Sequence, residues 1–187
     1  MDLLADDREL VAEIAGGNRT AIGRLVARHQ LRVFRFIVRR VRSEAMAEEI
    51  ANEVFLEAWR SAGKYEGRSS VGTWLLAIAH NKAISATRRR GELAWDEEKA
   101  GQLADTADDP EVATQKADKG AAMRRCLDGL SVEHREIIDL VYYQEQSVSE
   151  AGVILGIPEA TVKTRMFYAR KKLGELLKAA GIDRGWP

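Results

Sequence analysis

The sequence is poor in the residues from which small catalytic and metal sites are usually built. Among 187 residues there is one cysteine, Cys126, with three prolines and three histidines. A single cysteine excludes an internal disulfide and fits a reducing compartment. His29, His80, His134 and Cys126 are scattered, with no pair at metal-ligand spacing, so no zinc site is expected. There is no glycine-rich phosphate loop and no nucleophile motif. No cofactor, no catalytic residue and no small-molecule substrate are therefore expected, and the chain does not read as an enzyme. No apolar run approaches the roughly 18 residues of a membrane span. The opening MDLLADDREL is acidic and lacks the apolar stretch of a signal peptide. The expectation is a soluble, cytoplasmic protein with no membrane insertion. No net charge is left either, since 29 basic residues balance 29 acidic ones. That excludes a protein that coats nucleic acid indiscriminately, but not one with a local basic face.

What is present is helical periodicity. Hydrophobic residues make up 45% and charged residues 31%, a globular mixture with no strand-like alternation of useful length. From about Asp6 to Arg90 the pattern predicts four helices. Leu10 and Ile14 share a face, and Gly16-Gly17-Asn18 ends the first helix. Ile22, Leu25, Val26, His29, Val33, Phe34, Ile37, Val38 and Val41 mark the inward side of the second. Ile50, Val54 and Phe55 mark that of a third, over about Glu44 to Ser61. Gly63 to Ser70 reads as a loop. A fourth helix follows, carrying Trp74, Leu75, Ile78 and Ala79 into the core and ending in Arg88-Arg89-Arg90. The stretch from Gly91 to Lys119 is acidic, poor in large apolar residues and interrupted by Pro110, a composition that predicts a linker. Helical periodicity returns from about Ala121 to Ala180. The fold class expected is all-α, with two small helical domains joined by a flexible acidic linker.

In the second domain a short helix, Ser147 to Leu155, runs into the turn Gly156-Ile157-Pro158 and then a longer basic helix from Glu159 to Leu177. This is the outline of a helix-turn-helix. Val162, Met166, Ala169, Leu173 and Leu176 fall on one face and are expected to pack inward. Thr161, Lys163, Thr164, Arg165, Phe167, Tyr168, Arg170 and Lys171 remain for DNA. They supply donors for phosphates, groups for base edges and apolar surface for a thymine methyl. On these residues alone, a stand-alone helix-turn-helix regulator is an alternative, though it leaves the first domain without a role.

Three stretches together resemble one family. Ala47 to Phe55 reads AEEIANEVF, Tyr65 to Asn81 reads YEGRSSVGTWLLAIAHN, and Pro158 to Leu173 reads PEATVKTRMFYARKKL. All three are similar, in order and spacing, to motifs of the extracytoplasmic-function group of bacterial sigma factors, the promoter-recognition subunits of RNA polymerase. The resemblance implies a first domain over residues 1–91 that binds core polymerase and captures the melted −10 element. It further implies an acidic linker over 92–119, a second domain over 120–182 that reads the −35 element as duplex, and a tail over 183–187. Carried over position by position, Glu48, Glu49, Asn52, Glu53 and Phe55 would meet core polymerase. Lys64, Arg68, Ser69, Ser70, Asn81, Lys82, Ser85, Arg88 and Arg89 would hold −10 DNA, and Trp74 would serve the core. Glu159, Thr161, Lys163, Thr164, Arg165, Phe167, Tyr168 and Arg170 would face the −35 duplex. The implied partners are core RNA polymerase, promoter DNA and a cognate anti-sigma factor. The sequence departs from the family pattern at Ala151-Gly152, at Ala160 in place of the usual glycine, and at Tyr168 where arginine is common.

Overall fold

The computed structural model describes residues 6–98 and 115–182, and all regular structure among them is helical. Asp6 and Glu9 form a capping box that starts helix α1, Asp7–Ala15. Gly17, at φ 89°, turns the chain, and the Asn18 side chain accepts from the Thr20 amide to start α2, Arg19–Val41. Arg42, in the left-handed region at φ 55°, ends α2, and Ser43 caps α3, Glu44–Ser61. A 3-10 turn, Ala62–Lys64, and a loop lead to α4, Val71–Glu98.

These four helices enclose the first core, centred on Leu10, Leu25, Phe36, Ile37, Val54, Leu75 and Leu76. Phe36 is the buried phenylalanine of α2, while Phe34, which the sequence put on the inward side, is half-buried. The stripe that runs through Leu25, His29 and Val33 reaches Phe36 and Ile37 at helical spacing, and Phe34 lies about 100° round from Val33. One boundary needs correction. Helix α4 does not stop at the arginine triplet but continues to Glu98, into the stretch assigned to the linker. Gly91 alone does not break it, because Glu92, Leu93 and Ala94 are good helix formers and no proline follows before residue 110. The far boundary moves too, because residues 115–119 of the expected linker open the helix Gln115–Asp128; residues 99–114 lie outside the described residues, as does the tail at 183–187.

The second lobe comprises α5, Gln115–Asp128; α6, Val132–Ile138; a π-helical turn, Asp139–Tyr143; α7, Val148–Leu155; and α8, Glu159–Ala179. Ser131 caps α6, and Ser147 with Glu150 forms a capping box on α7. Gly156 ends α7 at φ 64°, and Pro158 stands at the start of α8. Gly152 is the tightest point of this turn. A Cβ there would lie 2.9 Å from the Ile157 carbonyl oxygen, whose own amide donates to Gly152. The core is Ile137, Ile138, Leu140, Ile154, Val162, Ala169, Leu173 and Leu177; Leu176, expected inward, is half-buried.

The lobes pack on one another, α4 against α7 and α2 against α6. The seam is polar. Arg40 lies 2.6 Å from Glu136, whose other oxygen is 2.6 Å from His80 Nδ1. Arg39 pairs with Asp139 and sits over the Tyr143 ring, 4.3 Å from its centroid. Arg32 donates to the Gln144 side chain at 3.1 Å and to its backbone carbonyl. The Thr73 hydroxyl lies 2.9 Å from Gln146 Oε1 and 3.1 Å from Glu150 Oε1, within reach to donate to either, and Arg42 reaches Asp128 at 2.8 Å.

Burial pushes the Asp139 carboxyl from its ordinary 3.8 up to about 6, against the pull of Arg39. A carboxyl raised in the folded state contributes stability that is full below 3.8 and is lost as pH rises through about 6. Asp139→Asn removes this titration. The melting temperature of the variant, measured relative to wild type, is expected to climb across that window and then level off. A difference that stays flat there would contradict the placement of Asp139.

Candidate protein and nucleic-acid interfaces

The first candidate surface is a groove of about 410 Å³ between α2 and α3. Glu48, Asn52 and Phe55 line it from α3, with Ala51, and Val26, Gln30, Leu31 and Phe34 line it from α2. Phe55 is largely buried in its floor, while Glu49 and Glu53 are exposed on the same helix. Glu53 and Glu57, one turn apart, stand 3.6 and 3.9 Å from the Lys82 amine of α4. Lys82, expected at DNA, is thus held beside the acidic helix. Sequence reasoning missed Leu31, which is 56% exposed. It lies between Gln30 and Arg32, off the stripe that feeds the core, and that misplacement is the one signal that could have marked it. Leu56 and Trp59 are likewise exposed on α3. Solvent-facing apolar side chains around an open groove are what a docking site for another protein presents.

The second surface is built on the loop before α4. The Tyr65 hydroxyl donates to the Ser69 carbonyl at 2.6 Å, and its ring packs on Trp74 with centroids 5.0 Å apart. Gly67, at φ 69°, makes the bend, and its carbonyl accepts from Arg8 at 3.4 Å. Ser70 Oγ accepts from the Thr73 amide at 3.1 Å and so caps α4. The result is a hollow of about 470 Å³ lined by Lys64, Tyr65, Glu66, Arg68, Ser69 and Trp74, with Val153 of α7 closing one side. Arg68 is exposed and pairs with Glu66 at 2.9 Å. Trp74, expected in the core, is half-buried and faces this hollow as well as Tyr65. Ser70 lines the neighbouring depression with Arg32 and Gly72. Asn81 is exposed about 15 Å further along α4 from its start. Beyond it Ser85 is half-buried and Arg88 and Arg89 are exposed.

The third surface is the outer face of α8. Glu159, Lys163, Thr164 and Arg170 are exposed there, and Thr161 is half-buried. Phe167 and Tyr168 are 64% and 53% exposed and meet edge to face with centroids 5.4 Å apart. Two adjacent aromatics held in water on a basic helix are costly unless a partner covers them. Arg165 is half-buried and turned toward α6. There it assists the Glu133 backbone amide and the Ser131 hydroxyl in holding the Glu133 carboxyl below the usual range. The Thr164 hydroxyl donates to the Ala160 carbonyl at 2.9 Å within the helix.

Residues 25–92 match the family Sigma-70 region 2, and residues 126–175 match Sigma-70, region 4. The ECF RNA polymerase sigma factor SigK of Mycobacterium ulcerans is 32% identical over 180 residues, covering 94% of this chain and 95% of that one. The chain belongs to the ECF family of RNA polymerase sigma factors. Two solved structures are similar to this ECF sigma factor along most of its length. CnrH in complex with the cytosolic domain of CnrY has a TM-score of 0.68 at 26% identity, covering 92% of this chain and 97% of that one. The sigma factor RpoE in complex with the anti-sigma factor NepR, from Bartonella quintana, has a TM-score of 0.69 at 26% identity, covering 87% and 98%. The groove of the sigma factor falls within its region 2, as does the loop hollow apart from Val153, and α8 falls largely within region 4. Among its described residues no helix is long and apolar enough to cross a membrane.

Proposed function

We propose that this sigma factor docks on core RNA polymerase through the α2–α3 groove, holds −35 duplex with α8, and captures opened −10 DNA at the loop hollow. The observation that carries this is the groove. It is open, partly apolar and lined by Glu48, Asn52 and Phe55, three of the positions expected to bind polymerase. A stand-alone operator-binding regulator has no use for it. Phe167 and Tyr168 of α8 are available to base edges and thymine methyls, while Lys163 and Arg170 serve phosphates. At the hollow, Arg68, Ser69 and Trp74 offer a cation, a hydroxyl and a ring to an unstacked base. The chain carries out no covalent chemistry itself; the polymerase makes the RNA, and the site of action is the bacterial cytoplasm. The similar structures hold the cytosolic domain of CnrY and the anti-sigma factor NepR. We infer that a cognate anti-sigma factor likewise competes for the surfaces of this chain.

The test is transcription in vitro. Purified chain, sigma-free core polymerase and the host's genomic DNA are combined, and the RNA 5′ ends are sequenced. Start sites behind a shared pair of upstream elements are expected. No new start sites, with no retention of the chain by core, would overturn the proposal. On a promoter so found, the double change of Phe167 and Tyr168 to alanine is expected to weaken duplex binding about tenfold or more, on the scale of roughly 1–3 kcal/mol per lost base-pair contact. Binding to core should not change.

A further inference from the structure

A cavity of about 440 Å³ lies where the end of α2 meets α5 and α6, and the sigma-factor function proposed above makes no use of it. Four guanidinium groups line it: Arg39 and Arg42 from the end of α2, Arg124 from α5 and Arg135 from α6. Two carboxylates face them. Asp139 pairs with Arg39. Asp128 lies 2.8 Å from Arg42 and 3.8 Å from Arg135, so one carboxylate is divided between two cations. Arg124 makes no ion pair among the described residues. Four cations against two anions leave the cavity with surplus positive charge. The Arg135 side chain is only 12% exposed. Burial, followed by the like charges of Arg42 and Arg40, holds its guanidinium below the ordinary value, against the pull of Asp128 and Glu136. Cations gathered in this way repel one another, and an anion placed among them relieves the repulsion. Guanidinium forks also match the oxygens of a phosphate, which can accept from several of them at once.

The remaining wall has a different chemistry. Val38, Leu127 and Ile138 supply apolar surface. The Tyr143 ring stays 48% exposed, with the Arg39 guanidinium 4.3 Å from its centroid. A planar ring can stack on such a pair. A simple anion would satisfy the arginines and leave this wall wet. The volume falls within the roughly 300–1,000 Å³ usual for small-ligand sites.

We propose that this cavity binds a nucleotide-sized organic phosphate, with its phosphates among Arg42, Arg124 and Arg135 and its planar base against Tyr143 and the apolar wall. A nucleoside diphosphate has that chemistry. The site is separate from the α2–α3 groove, the loop hollow and the outer face of α8, so the inference stands apart from the roles given to those surfaces.

Isothermal titration calorimetry on the full chain tests it, with ADP, GDP, pyrophosphate, adenosine and guanosine as probes. Salt of about 0.15 M screens loose attraction to exposed charges. ADP and GDP are expected to bind with a micromolar Kd, pyrophosphate about tenfold more weakly, and the two nucleosides not measurably. Arg124→Ala and Arg42→Asn are each expected to weaken ADP and GDP about tenfold. Both variants should keep the fold. Arg124 is exposed, and asparagine tolerates the left-handed backbone that Arg42 adopts at φ 55°. Tyr143→Ser is expected to weaken the two nucleotides about tenfold and to leave pyrophosphate unchanged, a split that general loss of structure would not produce. No binding of ADP or GDP would overturn the inference, as would nucleotide binding that neither arginine variant moves. Pyrophosphate held as tightly as the nucleotides would overturn it too, since the apolar wall and Tyr143 would then contribute nothing.

Discussion

Leu31→Asp is expected to abolish measurable binding to core polymerase while leaving the melting temperature within a few degrees of wild type. Leu31 is more than half exposed, so the folded chain gains little from it and loses little when it becomes polar. Its position in the groove is different. It stands beside Phe34 and faces Asn52 and Phe55 across the gap between α2 and α3. A partner helix laid in that groove would bury the leucine, and a carboxylate there would be buried without a counter-charge. Truncations at the centre of an interface commonly cost roughly 2–4 kcal/mol, or about 30- to 1,000-fold in Kd. A buried unpaired carboxylate belongs at the upper end of that range. Glu49, exposed on the flank of α3, is a rim position by comparison, and Glu49→Ala should act mainly on the association rate and its salt dependence. The measurement is a competition binding assay on core, run beside a thermal melt. Unchanged affinity for Leu31→Asp would remove the groove from the docking surface and shift attention to Trp59 and Leu56, the other exposed apolar residues of α3.

Some of this was legible in the sequence because it is encoded locally. Gly156 at the end of α7, Pro158 at the start of α8 and Ser131 and Ser147 at caps act within a few residues of where they stand. The inward face of α8 at Val162, Ala169 and Leu173 follows from helical spacing alone. The seam was not legible, for the opposite reason. Arg32 meets a partner 112 positions away, and Arg39 one 100 positions away. In the sequence, Arg39, Arg40, Glu136 and Asp139 are charged residues within helical segments. Nothing in their spacing marks them as buried. The choice between Phe34 and Phe36 failed on a finer scale, since both are apolar and only the phase of the stripe separates them. Lys82 was assigned by resemblance to DNA, yet Glu53 and Glu57 lie within ion-pair distance of it. A linear motif does not show that an adjacent helix supplies counter-charges.

In Leu173→Ala the second lobe is expected to unfold first, and the two lobes to come apart in function. Leu173 is fully buried in α8, within the core that includes Ile137, Val162 and Leu177. Cutting a buried leucine to alanine costs roughly 2–5 kcal/mol. The described part of the second lobe spans residues 115–182, and native domains hold only about 0.05–0.15 kcal/mol per residue. The loss is therefore comparable with the whole stability of the lobe, and each kcal/mol lowers the midpoint of a domain this small by roughly 4–8 °C. Docking on the first lobe offsets part of that cost, because the contacts of Glu136, Gln144 and Gln146 with α2 and α4 form only when the second lobe is folded. The melt of the variant should show an early phase that is absent from wild type, and duplex promoter binding should fall by more than about tenfold at the temperature where that phase is complete. Core binding should survive, since the groove is carried by α2 and α3 of the first lobe, packed around Leu25, Phe36 and Leu75. Loss of core binding in the same early phase would mean that the lobes fold as one cooperative unit. The polar seam would then be a structural part of the fold.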